Sequence, residues 1–134
     1  MTISRKIGIT IVFLWFFIGG LAHVVLTDAV LRIVPPYIPY PRSAVLVSGA
    51  FELLGAAGLI FSGTRRAAGI GLFVLTLVVT PANVYMLQRA DLFDIPVWML
   101  IARLPLQALL LVLILWSTRT IEHDQPGRGI KLQG

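Results

Sequence analysis

Four long apolar stretches, separated by short polar segments, make up most of the chain. They cover residues 7–26, 43–62, 67–87 and 97–116. Each holds about 20 mostly apolar residues, which is the length that a helix needs to cross a hydrocarbon layer about 30 Å thick. A four-residue turn, Gly63 to Arg66, makes the second and third stretches antiparallel neighbours. The pattern predicts an all-α polytopic membrane protein, an antiparallel bundle of four transmembrane helices over residues 1–117.

The composition agrees with this class. Hydrophobic residues make up 57% of the chain and charged residues 13%, whereas soluble domains carry about 45–50% and about 25%. These values exclude an ordinary soluble globule, a disordered chain and a coiled coil. Cysteine is absent, which removes thiol nucleophiles, iron–sulfur clusters and cysteine-based zinc sites. We expect no metal site.

The basic residues predict an orientation. The chain has 11 Lys and Arg against 6 Asp and Glu, but they form no basic stripe of the kind that binds nucleic acid. Cytoplasmic loops are those with the excess of Lys and Arg. Three arginines lie on one side of the spans, Arg32, Arg42 and Arg89, and seven basic residues lie on the other: Arg5, Lys6, Arg65, Arg66, Arg119, Arg128 and Lys131. Both termini are therefore expected in the cytoplasm, with residues 118–134 as a poorly ordered tail.

The first outer loop is rich in proline. It contains the run Pro35-Pro36-Tyr37-Ile38-Pro39-Tyr40-Pro41, which favours a stiff, extended backbone. Two interpretations remain open. The loop is either a rigid connector, with Tyr37 and Tyr40 at the membrane surface, or a lid over a site. Trp98 is expected to anchor the outer end of the fourth helix.

Five polar side chains lie inside the predicted spans, where ionisable groups cost about 2.5–3.5 kcal/mol on insertion scales. With a rise of ~1.5 Å per residue, all of them except Gln107 lie about 5 to 14 Å below the outer ends of their helices. Every helix therefore sends a polar group to one layer. We expect an ion pair between Glu52 and Arg103, because paired charges cost less than a bare one. The candidate ligand-binding residues are His23, Glu52, Asn83, Arg103 and Gln107.

Two prolines and several further residues are candidates to support this layer. Pro81 and Pro105 each remove a backbone hydrogen bond and so free the carbonyls of Leu77 and Ile101. Such carbonyls are tolerated at membrane depth where they meet protein or line a cavity. The layer either only fixes the register of the helices or forms a ligand or partner site, and we favour the site. The supporting candidates are Tyr37, Tyr40, Ser48, Thr80, Pro81, Tyr85, Trp98 and Pro105.

Five motifs, in this order and topology, resemble the DoxX family of small four-helix membrane proteins. The resemblance covers residues 8–116 and implies a four-helix bundle in a bacterial cytoplasmic membrane. It also implies an association with redox complexes, including the membrane subunit of a thiosulfate:quinone oxidoreductase. It supplies no catalytic residue that can be transferred, so whether the chain is an enzyme stays open. The motifs are Gly20-Leu21-Ala22-His23, Val34-Pro35-Pro36-Tyr37-Ile38-Pro39, Ser48 to Gly55 with Arg65-Arg66, Pro81 to Met86, and Arg103-Leu104-Pro105-Leu106-Gln107.

The function predicted from these features is that of a redox-associated membrane subunit linked to a quinone. A quinone site needs an apolar slot and a few donors to the carbonyl oxygens, and His23, Asn83 and Arg103 are donors. Glu52 can relay a proton, Tyr85 and Trp98 can flank a ring, and a redox partner protein must supply the electrons.

The alternative is a non-catalytic protein that binds a lipid or another small amphiphile, or that scaffolds a partner helix. A membrane isomerase or hydrolase that uses Glu52 and His23 as acid and base rests on fold-level analogy alone. A transporter fits least, because the helices are few, unless a homo-oligomer forms a shared pathway.

Overall fold

The computed structural model describes residues 2–92 and 96–119, and these residues form helices and connecting turns with no strand among them. The predicted tail from residue 120 onward lies outside the described residues, as do residues 93–95. A 3-10 turn, Ala90–Leu92, precedes that gap. The α-helices are α1 (Ile3–Val25), α2 (Thr27–Leu31), α3 (Pro41–Ile60), α4 (Arg65–Val78), α5 (Thr80–Gln88) and α6 (Val97–Thr118).

Four helical segments are long and apolar enough to cross a membrane, as the sequence predicts. They are Ile3–Val25, Pro41–Ile60, Arg65–Gln88 and Val97–Thr118. The largest difference from the predicted bounds is the start of the first segment, which begins at Ile3 instead of residue 7. There the Thr2 side chain accepts a hydrogen bond from the Arg5 backbone N–H, so a cap extends the helix into the polar flank.

The third segment is interrupted at Val79, between α4 and α5. Pro81 lies in the first turn of α5, where its missing N–H costs nothing because no intrahelical partner exists for that position. Pro105, by contrast, lies inside α6, which continues through it. Of the two prolines, only Pro81 coincides with a break in a helix.

The long helices pack in a closed circuit. α1 contacts α3, α3 contacts α4, α4 contacts α6, and α6 returns to α1. The circuit encloses a small apolar core, whereas many large apolar side chains point outward, including Leu54, Val78 and Leu109 at 68%, 65% and 67% exposure. Apolar surface of this extent is unusual for a soluble protein. The core residues are Val12, Phe16, Ala56, Leu59, Leu72, Leu110 and Ile114.

Two glycines set the distance between α1 and α3. A Cβ atom on Gly20 would lie 3.1 Å from the Gly49 carbonyl oxygen, and one on Gly49 would lie 2.7 Å from the Cβ of His23. Neither position can accept a side chain unless the helices move apart. The two helices therefore pack with their backbones close together, as small residues allow.

Arg5 closes the opposite end of the circuit. Its side chain is buried and its guanidinium donates to the carbonyl oxygen of Ser117 at 3.2 Å and to that of Arg119. The Ser117 carbonyl lies in the last turn of α6 and the Arg119 carbonyl just beyond its end, where backbone acceptors lack intrahelical partners and the helix end carries partial negative charge. Arg5 therefore caps the C-terminal end of α6 through its side chain, in addition to being one of the basic residues that predict the orientation of the chain.

Replacing Gly49 by alanine should push α1 away from α3. We expect Gly49→Ala to lower the free energy of unfolding by about 1–3 kcal/mol, as overpacking does. Gly71→Ala is the matched control, because a Cβ there meets nothing within 4 Å and alanine favours a helix by about 0.5–1 kcal/mol. Thermal unfolding in detergent measures both. Equal midpoints for the two variants would contradict the close approach.

Candidate functional site

One cavity of about 710 Å³ is lined by all four long segments. Its wall is mostly apolar, with Trp15, Phe16 and Leu110 among the lining side chains. A mostly apolar cavity that holds a few convergent polar groups is the usual form of a small-molecule site. All five predicted ligand-binding residues line it, namely His23, Glu52, Asn83, Arg103 and Gln107.

His23 and Glu52 form a close pair across α1 and α3. The Nδ1 atom of His23 lies 3.1 Å from Oε2 of Glu52 and 2.7 Å from the carbonyl oxygen of Gly19. Glu52 is only 8% exposed, and its Oε2 atom has no partner with hydrogen-bond geometry among the described residues. A bare carboxylate in such surroundings is costly, and the His23 imidazole is the neighbouring group that compensates it.

The expected ion pair between Glu52 and Arg103 is wrong. Glu52 lies on α3, beside α1, whereas α6, which carries Arg103, packs on α1, α4 and α5. The close contact between Gly20 and Gly49 places His23, and not Arg103, beside the Glu52 carboxylate. Within the described part of the chain, the Arg103 side chain is exposed along the cavity and makes no ion pair or hydrogen bond.

Asn83 and Gln107 form a separate network that holds the broken helix against α6. The Asn83 amide donates to Oε1 of Gln107, and Nε2 of Gln107 donates to the Thr80 hydroxyl and, at 3.3 Å, to the Thr76 carbonyl oxygen. The Thr80 hydroxyl also donates to that oxygen, at 3.1 Å. We call these four residues the amide clamp. The clamp satisfies an acceptor at the end of α4, where backbone partners run out.

The clamp acts on a different carbonyl from the one that the sequence singled out. Pro81 has no N–H to donate to the Leu77 carbonyl, as expected, and the clamp side chains satisfy the carbonyl of Thr76, one residue earlier. Both carbonyls lie in the last turn of α4, which ends at Val78. The Gln107 amide bonds within the clamp at both its oxygen and its nitrogen, and the ionisable groups that line the cavity are those of Glu52, His23 and Arg103.

The first outer loop covers the cavity. Val30 of α2 and the following Ile33, Val34, Pro35 and Ile38 all line it. An ion pair of 2.7 Å between Arg42 and Asp28 ties α2 to the start of α3. The geometry agrees with the lid interpretation and not with a simple connector.

The supporting candidates divide between the cavity and the surface. Ser48 and Pro81 line the cavity, and Thr80 belongs to the clamp. Tyr37, Tyr40 and Trp98 are largely exposed, at 71%, 81% and 69%. These three, together with Tyr85 and Pro105, are not among the described residues that line the cavity.

Sequence reasoning missed the spacing role of Gly49 and the contribution of α2 to the apolar cover of the cavity. Gly49 lies in the helix that carries Glu52, but nothing in the sequence indicates that it faces Gly20 across two helices. The sequence does contain a signal for the cover, because the loop intersperses apolar residues with prolines.

Removing the Gln107 amide should loosen the clamp. We expect Gln107→Leu to cost about 1–3 kcal/mol, because it leaves the Asn83 amide without its partner and removes one donor each from the Thr80 hydroxyl and the Thr76 carbonyl. Amides around Val79 should then exchange faster with deuterium in hydrogen-exchange mass spectrometry. Leu109→Ala, at an exposed position of the same helix, is the control. Unchanged exchange around Val79 in Gln107→Leu would show that the clamp does not hold the break.

Comparison with known proteins adds a family but no activity. No curated protein and no solved structure shows significant similarity to the chain. A family model described as a domain of unknown function (DUF8561) matches residues 12–120. This match spans most of the chain and includes every cavity residue predicted from the sequence. The chain therefore belongs to the DUF8561 family.

Proposed function

We propose that the protein is a multi-pass membrane protein whose four long helical segments cross a bacterial inner membrane in antiparallel order. Three observations support this topology. The segments have the required length and hydropathy, many of their large apolar side chains are exposed, and α3 and α4 contact each other although only residues 61–64 join them. The excess of Lys and Arg near the termini and that connection favours cytoplasmic termini.

The cavity, in this proposal, binds a quinone, and the protein acts as a redox-associated membrane subunit of the kind that the DoxX resemblance implies. The observation that carries the proposal is the buried Glu52, whose Oε2 atom has no hydrogen-bond partner among the described residues and lies beside His23 in a mostly apolar wall. A quinone ring fits apolar walls, and its carbonyl oxygens need donors. Its reduction also takes up protons, which a group inside the cavity must deliver.

The His23–Glu52 pair suits that delivery. Nδ1 of His23 faces Gly19 and Glu52, which leaves Nε2 as the ring nitrogen available to a ligand. With the imidazole protonated, Nε2–H would donate to a carbonyl oxygen of the quinone and would supply one of the two protons that the two-electron reduction of the ring takes up. The Arg103 guanidinium provides donors for the other carbonyl oxygen. Electrons come from a redox partner protein.

Replacing the Glu52 carboxyl by an amide should prevent the proposed quinone from binding in the cavity. We expect a quinone to co-purify with the wild type in mild detergent and to fall about tenfold or more in Glu52→Gln, since a hydrogen bond to a charged group is worth about 1.5–3 kcal/mol. Mass spectrometry of the extracted small molecules measures this. Asp91→Asn, the same change at an exposed carboxylate, should retain the wild-type content. Bulk phospholipid alone in all three samples would contradict the quinone proposal.

A second candidate is a non-catalytic protein that binds an anionic amphiphile. Arg103 favours it, because this cation has no partner among the described residues that line the cavity. With one proton on the His23–Glu52 pair, Arg103 leaves the cavity with a net positive charge. A carboxylate or phosphate head would neutralise that charge, whereas a quinone only accepts hydrogen bonds from it.

Competition between two amphiphiles separates the candidates. We expect decylubiquinone to bind the wild type, and dodecyl phosphate at equal concentration not to displace it. Arg103→Gln should weaken decylubiquinone by about tenfold, through the loss of one charged donor, whereas Arg66→Gln, outside the cavity, should not. Displacement by dodecyl phosphate that disappears in Arg103→Gln would instead favour the anionic amphiphile.

A further inference from the structure

A second, almost entirely apolar groove of about 920 Å³ lies between α3 and α4. Along α3 it runs from Val47 and Ser48 to Phe61, which corresponds to about 20 Å of helix. Leu54 and Val78, at 68% and 65% exposure, lie on its rim. The groove is therefore an open channel on the outer face of the helix pair.

The groove adjoins the polar cavity. Ser48 and Val78 line both spaces. Ser48 lies one helical turn before Glu52, and Val78 ends α4 at the break. The apolar groove thus begins where the polar wall of the cavity stops.

The interior of the groove offers nothing to a polar head. Its hydroxyl-bearing residues are at its two ends, Ser48 and Thr64, and the Thr64 hydroxyl already donates to the Gly58 carbonyl at 2.8 Å. Its floor is narrow because α3 and α4 touch beneath it. There a Cβ on Gly55 would come within 2.5 Å of Leu72, and one on Gly58 within 2.8 Å of Ala68.

We propose that this groove holds the apolar tail of the ligand whose head occupies the cavity, so that the protein selects its ligand by tail as well as by head. The inference rests on the proposed function. Glu52, more than nine-tenths buried and paired with His23 in a mostly apolar wall, points to a head group in the cavity. A tail attached to that head has an apolar exit past Ser48 and Val78.

Gly71 provides the test. It lines the groove, and a Cβ there meets nothing within 4 Å, so a larger side chain fills the groove without displacing the protein. Gly71→Leu is the blocking variant. Val74→Trp, at a second lining position, is an independent one. Ile70→Phe adds bulk on the same helix at an exposed position outside both linings and is the matched control.

The probes are decylubiquinone and the same quinone ring without its tail, bound to purified protein in detergent and followed by tryptophan fluorescence. Trp15 lines the cavity. We expect the wild type and Ile70→Phe to bind decylubiquinone about tenfold more tightly than the tailless ring, a modest gain because the micelle already shields the tail from water. Gly71→Leu and Val74→Trp should abolish that preference while leaving the affinity for the tailless ring unchanged.

The outcomes separate the two proposals. If neither quinone binds the wild type, the proposed function fails and the inference falls with it. If both bind but the tail preference is absent, or survives in Gly71→Leu and Val74→Trp, only the tail groove is wrong. Dissociation of a dimer by Gly71→Leu with an unchanged preference also overturns the inference and identifies the groove as a contact between copies of the chain.

Discussion

The buried carboxyl of Glu52 is the group that the polar architecture must accommodate. Few side chains are harder to place in apolar surroundings, because the charged form loses its hydration and needs a compensating partner at contact distance. His23 meets that need from α1, but only because Gly20 and Gly49 let the two helices approach. The glycine contact and the acid–imidazole pair are therefore one feature. A change that separates the backbones also leaves the carboxyl without its partner.

The interruption at Val79 creates a second requirement, which different residues meet. A break in a long apolar helix leaves backbone acceptors unpaired, and such groups are costly away from water. The amide clamp supplies their partners from the neighbouring helix α6 and thereby fixes α5, which adds Asn83 to the cavity wall. The polar layer that the sequence predicted therefore consists of two separate groups of residues with different roles. The clamp maintains the shape of the cavity, and the His23–Glu52 pair with Arg103 supplies its reactive surface.

The sequence predicted the helices well, because long apolar helices follow from hydropathy. The five polar side chains that the predicted depths placed in one layer, His23, Glu52, Asn83, Arg103 and Gln107, all line one cavity. Depth did not predict which of them touch. Partners depend on the rotation of each helix and on which helices are neighbours, and those depend on contacts such as Gly20 with Gly49, far apart in the chain. The Glu52–Arg103 pairing was wrong for that reason. The orientation of loop side chains, such as Ile33 and Ile38 over the cavity, was equally out of reach.

The position of the cover bears on how a ligand would reach the cavity. In the proposed topology α2 and the outer loop lie on the aqueous side, and they present Ile33, Val34 and Ile38 to the cavity. Apolar side chains there disfavour entry by a water-soluble, strongly polar molecule. The groove between α3 and α4 adjoins the cavity on the face that would meet lipid, and its lining is apolar between the hydroxyl-bearing residues at its two ends. An amphiphile dissolved in the membrane could therefore slide its head past Ser48 towards Glu52 without its tail leaving apolar surroundings. A covered aqueous side and an open lipid side together favour a ligand drawn from the bilayer.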